Sequence, residues 1–408
     1  MAFIYSIVIK IFYLLILLFS TFNSKAKQWI EGRKNWHSKL KNSINSEDTI
    51  AWFHCASLGE FEQGRTLMEA YSNKNPNHKI LITFFSPSGY RVRKDYKGAD
   101  YVFYLPLDTR RNAKRFITIV KPKTAFFIKY EFWFHFLNEL KRQDIPTYLV
   151  SAIFRPSQIF FKWYGGWNRR MLSCFTRIFL QDSKSKQLLA GIGYTNTTVA
   201  GDTRFDRVFA TAKSVNEIPL IKEFCGDSTI IVAGSTWPKD EKLLIQYINT
   251  TKSPVKLIIA PHEISSQHVN NICSAIEHQV VRYTNPDENE LKESKVLVLN
   301  TIGMLASAYQ YGHIAYVGGG FGAGIHNTLE PATFGIPVIF GPNYKKFKEA
   351  CELIDTGAGF TIDTMDQLND TFSILLSSKG ILKEKGDKAR EYINQNIGAT
   401  SRIINNIL

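Results

Sequence analysis

The chain opens on an apolar run. From Ala2 to Asn23 it reads AFIYSIVIKIFYLLILLFSTFN, interrupted only by Lys10, a length sufficient for a helix to span a bilayer. Beyond it, short apolar runs recur between amphipathic stretches: TIAWFHC, HKILITFF, YVFYLPL, TAFFIK, PTYLVSAIF and RIFLQD. Runs of this kind alternating with helical patterns predict a parallel sheet covered on both faces. The pattern restarts near Thr229 with TIIVAGS, VKLIIAP, KVLVLN, HIAYVGGG and PVIFG. Two doubly wound α/β domains are therefore expected. The predicted boundaries are a transmembrane anchor over 2–23, a basic juxtamembrane segment over 24–46, a first Rossmann-like domain over 47–211, a polar linker over 212–227 and a second Rossmann-like domain over 228–408. Ligands of such sheets bind beyond the carboxyl ends of the strands, so the residues just after each apolar run are the candidates.

The length agrees, since 408 residues exceed what one core supports. Hydrophobic residues at 44%, aromatics at 13% and only 14 prolines exclude disordered, collagenous and mucin-like chains. The five cysteines, Cys55, Cys174, Cys225, Cys273 and Cys351, form no CxxC pair. They indicate a reducing compartment and no structural zinc. A net charge of +14 asks for an anionic partner. Nucleic acid is one candidate, but Lys25, Lys27, Arg33, Lys34, Lys39 and Lys41 follow the apolar run against a single Glu31. That placement indicates anionic lipid instead and puts the rest of the chain in the cytoplasm. Trp29 and Trp36 are expected at headgroup level.

The segment richest in candidate chemistry is HIAYVGGGFGAGIHNTLEPATFGIPVIFGP, His313 to Pro342. Gly318, Gly319, Gly320, Gly322 and Gly324 let backbone N–H groups approach a ligand, a geometry suited to phosphate. His326 or Asn327 is expected to cap a helix whose first turn attracts an anion, and Glu330 is placed to accept from a ribose diol. The alternative is a tight structural turn. In AWFHCASLGEFEQGR, a strand runs into a helix at Gly59 and Glu60. An ionised Glu60 there suits a general base, or a first-turn carboxylate favoured by the helix dipole. Glu62 is expected to be solvated.

Further strand ends supply Ser235 and Thr236, then Pro261, His262 and Glu263, each a nucleotide contact or a helix cap. TFFSPSGY (Ser86, Ser88), KYEFW (Glu131), SAIFR (Arg155) and GDTRFDR (Arg204, Arg207) end strands of the first half, the last offering two arginines to an anion. The chain has no GxxxxGK[ST], HExxH or GxSxG motif and no DxD pair to hold a metal with a sugar nucleotide. A metal-independent reaction is expected, with no cofactor.

Taken in order, the anchor, His54, Ser57, Gly59, Glu60, TFFSPSGY, Glu131, LQDSKS, GDTRFD, AGSTWPKDE, APHEI and GGGFGAGIHNTLEP resemble the bacterial Kdo transferases. These attach 3-deoxy-D-manno-oct-2-ulosonic acid (Kdo) to the lipid A precursor. The resemblance implies a GT-B glycosyltransferase of two Rossmann-like domains facing a cleft. It assigns CMP-Kdo to Ser235, Thr236, Pro261, His262, Glu263, Gly318, Gly319, Gly320, Gly322, His326, Asn327 and Glu330. Acceptor and anion binding falls to Ser57, Gly59, Ser86, Ser88, Glu131, Arg155 and Arg204, and Glu60 becomes the base of an inverting transfer. The expected setting is the cytoplasmic face of a bacterial inner membrane, held by a single-pass anchor. The expected partners are CMP-Kdo, the lipid A precursor and anionic lipid, facing basic residues such as Arg91, Arg93, Lys94, Lys97, Arg110, Arg111, Arg169 and Arg170, with no nucleic acid. Where many members carry an acidic pair before the glycine loop, this chain has Asn300 and Met304. The alternative is another membrane-bound GT-B enzyme using a different nucleotide sugar on a lipid acceptor.

Overall fold

The computed structural model describes residues 1–287 and 290–407, and in it each of the short apolar runs that follow the opening one contains a strand. In the first unit these are β1 (Thr49–Cys55), β2 (His78–Phe84), β3 (Tyr101–Tyr104), β4 (Thr124–Ile128), β5 (Thr147–Ala152), β6 (Arg177–Leu180) and β7 (Thr197–Val199). They pair in parallel in the order β3-β2-β1-β4-β5-β6-β7. The second unit has β8 (Thr229–Thr236), β9 (Val255–Pro261), β10 (Val280–Arg282), β11 (Val296–Val298), β12 (Ile314–Val317), β13 (Val338–Phe340) and β14 (Gly359–Thr361). Their order is β10-β11-β9-β8-β12-β13-β14. In each sheet the first strand sits inside, with later strands laid down on both sides of it. That reversal makes the carboxyl ends of β1 and β8 the switch points where ligands bind in folds of this type.

Side-chain alternation along the strands builds two cores per sheet. Trp52 joins Phe116, Phe127 and Phe136 on one face of the first sheet. Phe53, next in sequence, joins Phe61, Phe84 and Phe126 on the other. The second sheet does the same, Ile231 facing Tyr316 and Phe372 while Ile230 faces Phe224 and Tyr309. Each such ring, fully buried, contributes about 1.5–3 kcal/mol.

The helices that lead into and cover the first sheet include α1 (Ala2–Phe19), α2 (Ser24–Gly32), α3 (Trp36–Ser43), α4 (Leu58–Lys74), α5 (Pro87–Arg93), α6 (Arg110–Val120) and α7 (Phe134–Arg142). The segment expected to be a basic flank at headgroup level is partly interior. Arg33 is buried and donates from Nε to Leu105 O at 2.8 Å, from one terminal nitrogen to Phe85 O at 2.7 Å and from the other to Trp29 O at 3.1 Å. Its guanidinium lies 3.8 Å from the centre of the Trp29 ring. Burial lowers its pKa to about 9. Trp29 is buried and Trp36 is packed against the core, so neither is free for a headgroup. Two more of the basic residues expected to face a polyanion are engaged within the unit. Arg93 pairs with Glu62 at 2.5 Å, and Arg169 donates to Phe160 O and Lys162 O, both at 2.8 Å.

The units divide as Met1–Arg207 together with the chain from Gly398 onward, and Val208–Ile397. The sequence placed 228–408 in the second domain. Residues 288, 289 and 408 of that range lie outside the described residues, and from Gly398 the chain returns to the first unit instead. Asp206 is the reason, its carboxylate accepting from Gly398 N at 2.5 Å and Thr400 N at 2.6 Å. Ile403 and Ile404 then enter the core beside Phe53 and Leu67. The division at Arg207/Val208 falls inside the helix Thr203–Lys213, and the expected linker contains a helix, Pro219–Cys225, whose Ile221 and Phe224 are buried.

Candidate functional site

In the first unit the site begins where β1 ends. Ser57 is the N-cap residue of α4 and Glu60 lies in its first turn. The Ser57 hydroxyl donates to Glu60 Oε2, an i, i+3 geometry that the start of a helix imposes. The next strand's loop is tied to the same place, Ser86 N donating to Ala56 O at 2.7 Å. Ser86 caps α5 with its side chain and lies 3.0 Å from the Ser88 hydroxyl. Gly59 and Ser88 are exposed.

Behind this edge stands a buried polar network. His54 of β1 is fully buried, its Nε2 3.0 Å from Glu131 Oε2 and its Nδ1 2.9 Å from Thr83 Oγ1. Trp52 Nε1 donates to Thr83 Oγ1 at 2.8 Å, His54 Nδ1 also lies 3.1 Å from Thr83 O, and the Glu131 carboxylate is the acceptor toward Nε2. Trp133 Nε1 donates to the same Glu131 oxygen at 2.6 Å. Thus Glu131 is held by two donors from strands or loops at adjacent positions in the sheet.

The other strand ends are less open to an anion than the sequence suggested. Arg204 is engaged with the largely buried Asp202, Nε to Oδ2 at 2.8 Å and a terminal nitrogen at 2.7 Å, while Gln63 Nε2 donates to Asp202 Oδ1 at 3.0 Å. A guanidinium bound to a carboxylate has little net charge to offer. Arg155 is exposed. Burial raises the pKa of Tyr130, and Arg155 and Arg204 both oppose that rise, so the two guanidiniums flank this phenol. Glu62 is not merely solvated: besides Arg93 it pairs with Arg207 at 3.0 Å.

The second unit builds its counterpart at the end of β8. Trp237 Nε1 donates to His326 Nε2 at 3.1 Å. His262 stacks against both, 4.5 Å from the Trp237 ring and 4.7 Å from the His326 ring. Burial lowers the pKa of His326, with His262 adding to the effect, which keeps Nε2 an acceptor. Asp240, fully buried, ties the glycine loop to the helix Pro238–Thr250. Its Oδ2 accepts from Gly319 N and Trp237 N, both at 2.9 Å, and its Oδ1 from Tyr316 OH at 2.8 Å. A cavity of about 510 Å³ opens here, lined among others by Trp237, Asp240, Gly319, Phe321 and His326. Gly319 has φ +92°, and a Cβ on Gly320 would sit 2.5 Å from Gly341 Cα, so the two positions require glycine.

Two expectations for this loop are corrected. The amides of Gly318, Gly319, Gly322, Gly324 and His326 are already bonded within the unit, to Gly234 O, Asp240, Gly319 O, Gly319 O and Gly318 O. The helix that follows is only Leu329–Thr333, and Gly335, with φ +72°, turns the chain away just beyond it. His326 stacks rather than caps; Asn327 does the capping, Oδ1 accepting from Leu329 N at 3.1 Å and Nδ2 donating to Glu330 at 2.9 Å. Beside them the hydroxyl of Thr328 is buried with no partner. Of the remaining candidates, Ser235 has the left-handed φ +54° and His262 and Glu263 are exposed. Thr236 and Pro261 are buried, and the Thr236 hydroxyl donates to Glu241 at 3.1 Å.

Sequence reasoning missed Asp240, Trp237 and the pairing of His54 with Glu131. Asp240 carried a signal, an acid three residues after Trp237 with a proline between, the spacing of a capped helix start. The His54 pairing joins positions 77 residues apart and carried none.

Two parallel, doubly wound units with their switch points at the first strand define a GT-B type of fold. The UDP-GlcNAc 2-epimerase of Neisseria meningitidis, solved with UDP-GlcNAc, shares it at a TM-score of 0.61, with 15% identity over 88% of this chain and 98% of that one. Within that class the chain is similar to the Kdo transferases. Residues 31–207 match the family described as 3-Deoxy-D-manno-octulosonic-acid transferase (kdotransferase). The chain is 29% identical to the 3-deoxy-D-manno-octulosonic acid transferase of Aquifex aeolicus over 86% of its length and 92% of that protein's. It is 26% identical to the enzyme of that name from Haemophilus influenzae, over 86% and 85%.

Proposed function

We propose that this protein is a glycosyltransferase that moves Kdo from CMP-Kdo to a lipid A precursor during lipopolysaccharide assembly, at the inner membrane of a bacterium with both units on the cytoplasmic side. The likeness to Kdo transferases along most of the chain supports the donor. The observation that carries the chemistry is the Ser57–Glu60 pair at the switch point of the first unit.

The displacement needs a base on the acceptor and a stabilised leaving group. Ser57 occupies Oε2 of Glu60, and Oε1 receives the proton of the acceptor hydroxyl. As that O–H bond breaks, the oxygen attacks the anomeric carbon of Kdo from the face opposite CMP, the new glycosidic bond forms, and the bond from that carbon to the phosphate oxygen breaks. The products are the inverted glycoside and CMP. In the second unit the stack of Trp237, His262 and His326 suits the flat cytosine, and the Thr328 hydroxyl and Glu330 suit the ribose. Glu131, fixed by His54 and Trp133, positions the acceptor side. The sequence has no DxD pair, and the reading assigns no step to a metal.

A mass-spectrometric assay of the detergent-solubilised protein with CMP-Kdo generated in situ and tetra-acylated lipid A precursor tests this. Mass gains in whole Kdo units are expected with the wild type, and none with Glu60→Gln despite a retained CMP-dependent thermal shift. Transfer by both proteins removes Glu60 as the base; no transfer by either, with the shift intact, rejects the acceptor.

A further inference from the structure

The face that α1 turns to the first unit is inconsistent with a helix that crosses a membrane. Tyr5, Ser6, Ile9, Phe12 and Tyr13 recur at i, i+1, i+4, i+7 and i+8, one side of a helix. Tyr5 OH donates to Asp108 Oδ2 at 2.6 Å, and the Ser6 hydroxyl lies 2.9 Å from His135 Nε2. The Tyr5 ring sits 5.5 Å from that of Phe134 and 5.7 Å from that of Trp167. Ile9 is buried. Phe12 reaches Trp29 at 6.0 Å and Phe85 at 6.2 Å. After Phe19 the chain turns, Asn23 caps α2, and Arg33 clamps the end of α2 to the body of the unit. The two helices thus form a hairpin with α1 lying along the unit.

Helical rise makes the geometry decisive. Tyr5 is roughly 20 Å along the axis from Phe19 at 1.5 Å per residue. Were α1 to span the bilayer with its carboxyl end at the cytoplasmic face, Tyr5 would lie near the far leaflet. Asp108 and His135 would go with it, along with the charged Arg110, Lys114 and Glu139 around them, at a cost of several kcal/mol per charge. Asp108 is 1% exposed and accepts from Tyr5 and from the His135 and Phe136 amides at 3.1 Å. Lifting α1 away removes one of its three donors.

Among the described residues, the opposite side of α1 is open. Ile4, Ile7, Val8, Ile11, Leu14 and Leu18 are all exposed, and at 100° per residue they form one continuous apolar stripe. Lys10 falls at the edge of that stripe, where its ammonium reaches headgroups. At the amino end a cavity of about 590 Å³ is lined by Ala2 and, among others, the basic Arg110, Lys114, Lys141 and Arg142 with one carboxylate, Glu139. We infer that α1 is an in-plane anchor, docked on the first unit by its Tyr5–Tyr13 side and immersed by its apolar side in the interface of an anionic lipid leaflet, with Arg110 and Lys114 over the headgroups. Such helices settle about 5–10 Å into the leaflet.

Depth measurement decides it. Ile4→Cys, Ile11→Cys and Leu18→Cys lie on one line of the stripe, seven residues apart, and are exposed, so labels there leave the fold alone. In a Cys273→Ser, Cys351→Ser background, each spin-labelled full-length protein is bound to vesicles of phosphatidylcholine with roughly a third phosphatidylglycerol. Nearly equal, shallow depths at all three sites, all accessible to an impermeant reductant from the side of the added protein, are expected. Ile11 about 10 Å deeper than Leu18 with Ile4 shielded from that side overturns the inference in favour of a span. Labels that remain in water overturn it as well. The readout is independent of sugar transfer, so it stands or fails apart from the proposed reaction.

Discussion

At the carboxyl end of β1 the first unit presents side-chain charge: Glu60 held by Ser57, with Glu131 and the buried His54 behind. At the corresponding end of β8 the second unit presents rings and bare backbone: Trp237, His262 and His326 stacked beside the glycine loop, with the Asp240 carboxylate buried and engaged by Gly319 N, Trp237 N and Tyr316 OH. The same topology thus carries two kinds of site. A proton acceptor must touch the substrate and so stays at the edge of the sheet. A nucleotide platform needs a flat surface and a fixed loop, so its charge is moved inward to hold the loop. Both edges store backbone strain, at Lys129 and Ser151 in the first unit and Ser235 in the second, at about 1–3 kcal/mol each.

The largest effect expected from breaking this comparison is at Glu60. Glu60→Gln keeps the shape and the Ser57 contact while removing the proposed base, and a 10²–10⁴-fold fall in kcat is expected. CMP binding, which the proposed reaction assigns to the second unit, should be unchanged by calorimetry. A parallel loss of CMP affinity refutes the division of labour. Next is Asp240→Ala, which leaves Gly319 N, Trp237 N and Tyr316 OH without their acceptor. A stability loss of about 3 kcal/mol is expected from buried unpaired donors, read by urea unfolding, together with loss of the CMP-dependent thermal shift. If Asp240→Ala unfolds with the wild-type midpoint, the loop does not depend on it.

How much of this the sequence carries follows from separation along the chain. The long apolar strands were legible because each is a local pattern, from TIAWFHC to PVIFG. The three that were not, β7, β10 and β14, lie at sheet ends, and their residues TTV, VVR and GFT sit in polar surroundings with no apolar run to mark them. Glu60 was legible because its position is set by the strand and helix around it. The neutralisation of Arg204 by Asp202 was overlooked although the two are neighbours, because adjacent residues reveal a pair only once the backbone direction is known. The return of the chain at Gly398 depends on Asp206, about 190 positions earlier, and nothing local announces it.

A smaller effect sharpens the first unit. Glu131→Gln keeps a hydrogen-bond acceptor for Trp133 but removes the negative partner of His54. As a positioning residue it should lower kcat/KM by about 10- to 100-fold, with the loss in kcat and no shift in CMP affinity. His54→Gln should give a comparable loss, and the double variant little more than either alone, because both act through one contact. Additive losses separate the two roles.

The smallest effect belongs to the second unit and reverses with pH. Trp237→Phe keeps a ring to stack on His262 and removes the N–H that His326 Nε2 accepts, so CMP affinity near pH 8 should fall only a few-fold. The folded pKa of His326 lies below its ordinary value of 6.5. Its contribution to stability is therefore present above pH 6.5 and is lost as pH falls below it, because the unfolded chain takes up the proton first. In the wild type a proton on Nε2 cannot coexist with the Trp237 N–H directed at the same atom. In Trp237→Phe that obstacle is gone, and His326 should titrate closer to 6.5. The acid-side loss of stability between pH 6.5 and 5 should then be shallower in the variant than in the wild type, although the variant is weaker at pH 8. Thermal unfolding of both proteins across that range, with the His326 ring followed by NMR, distinguishes this from a simple loss of packing, which lowers both curves equally.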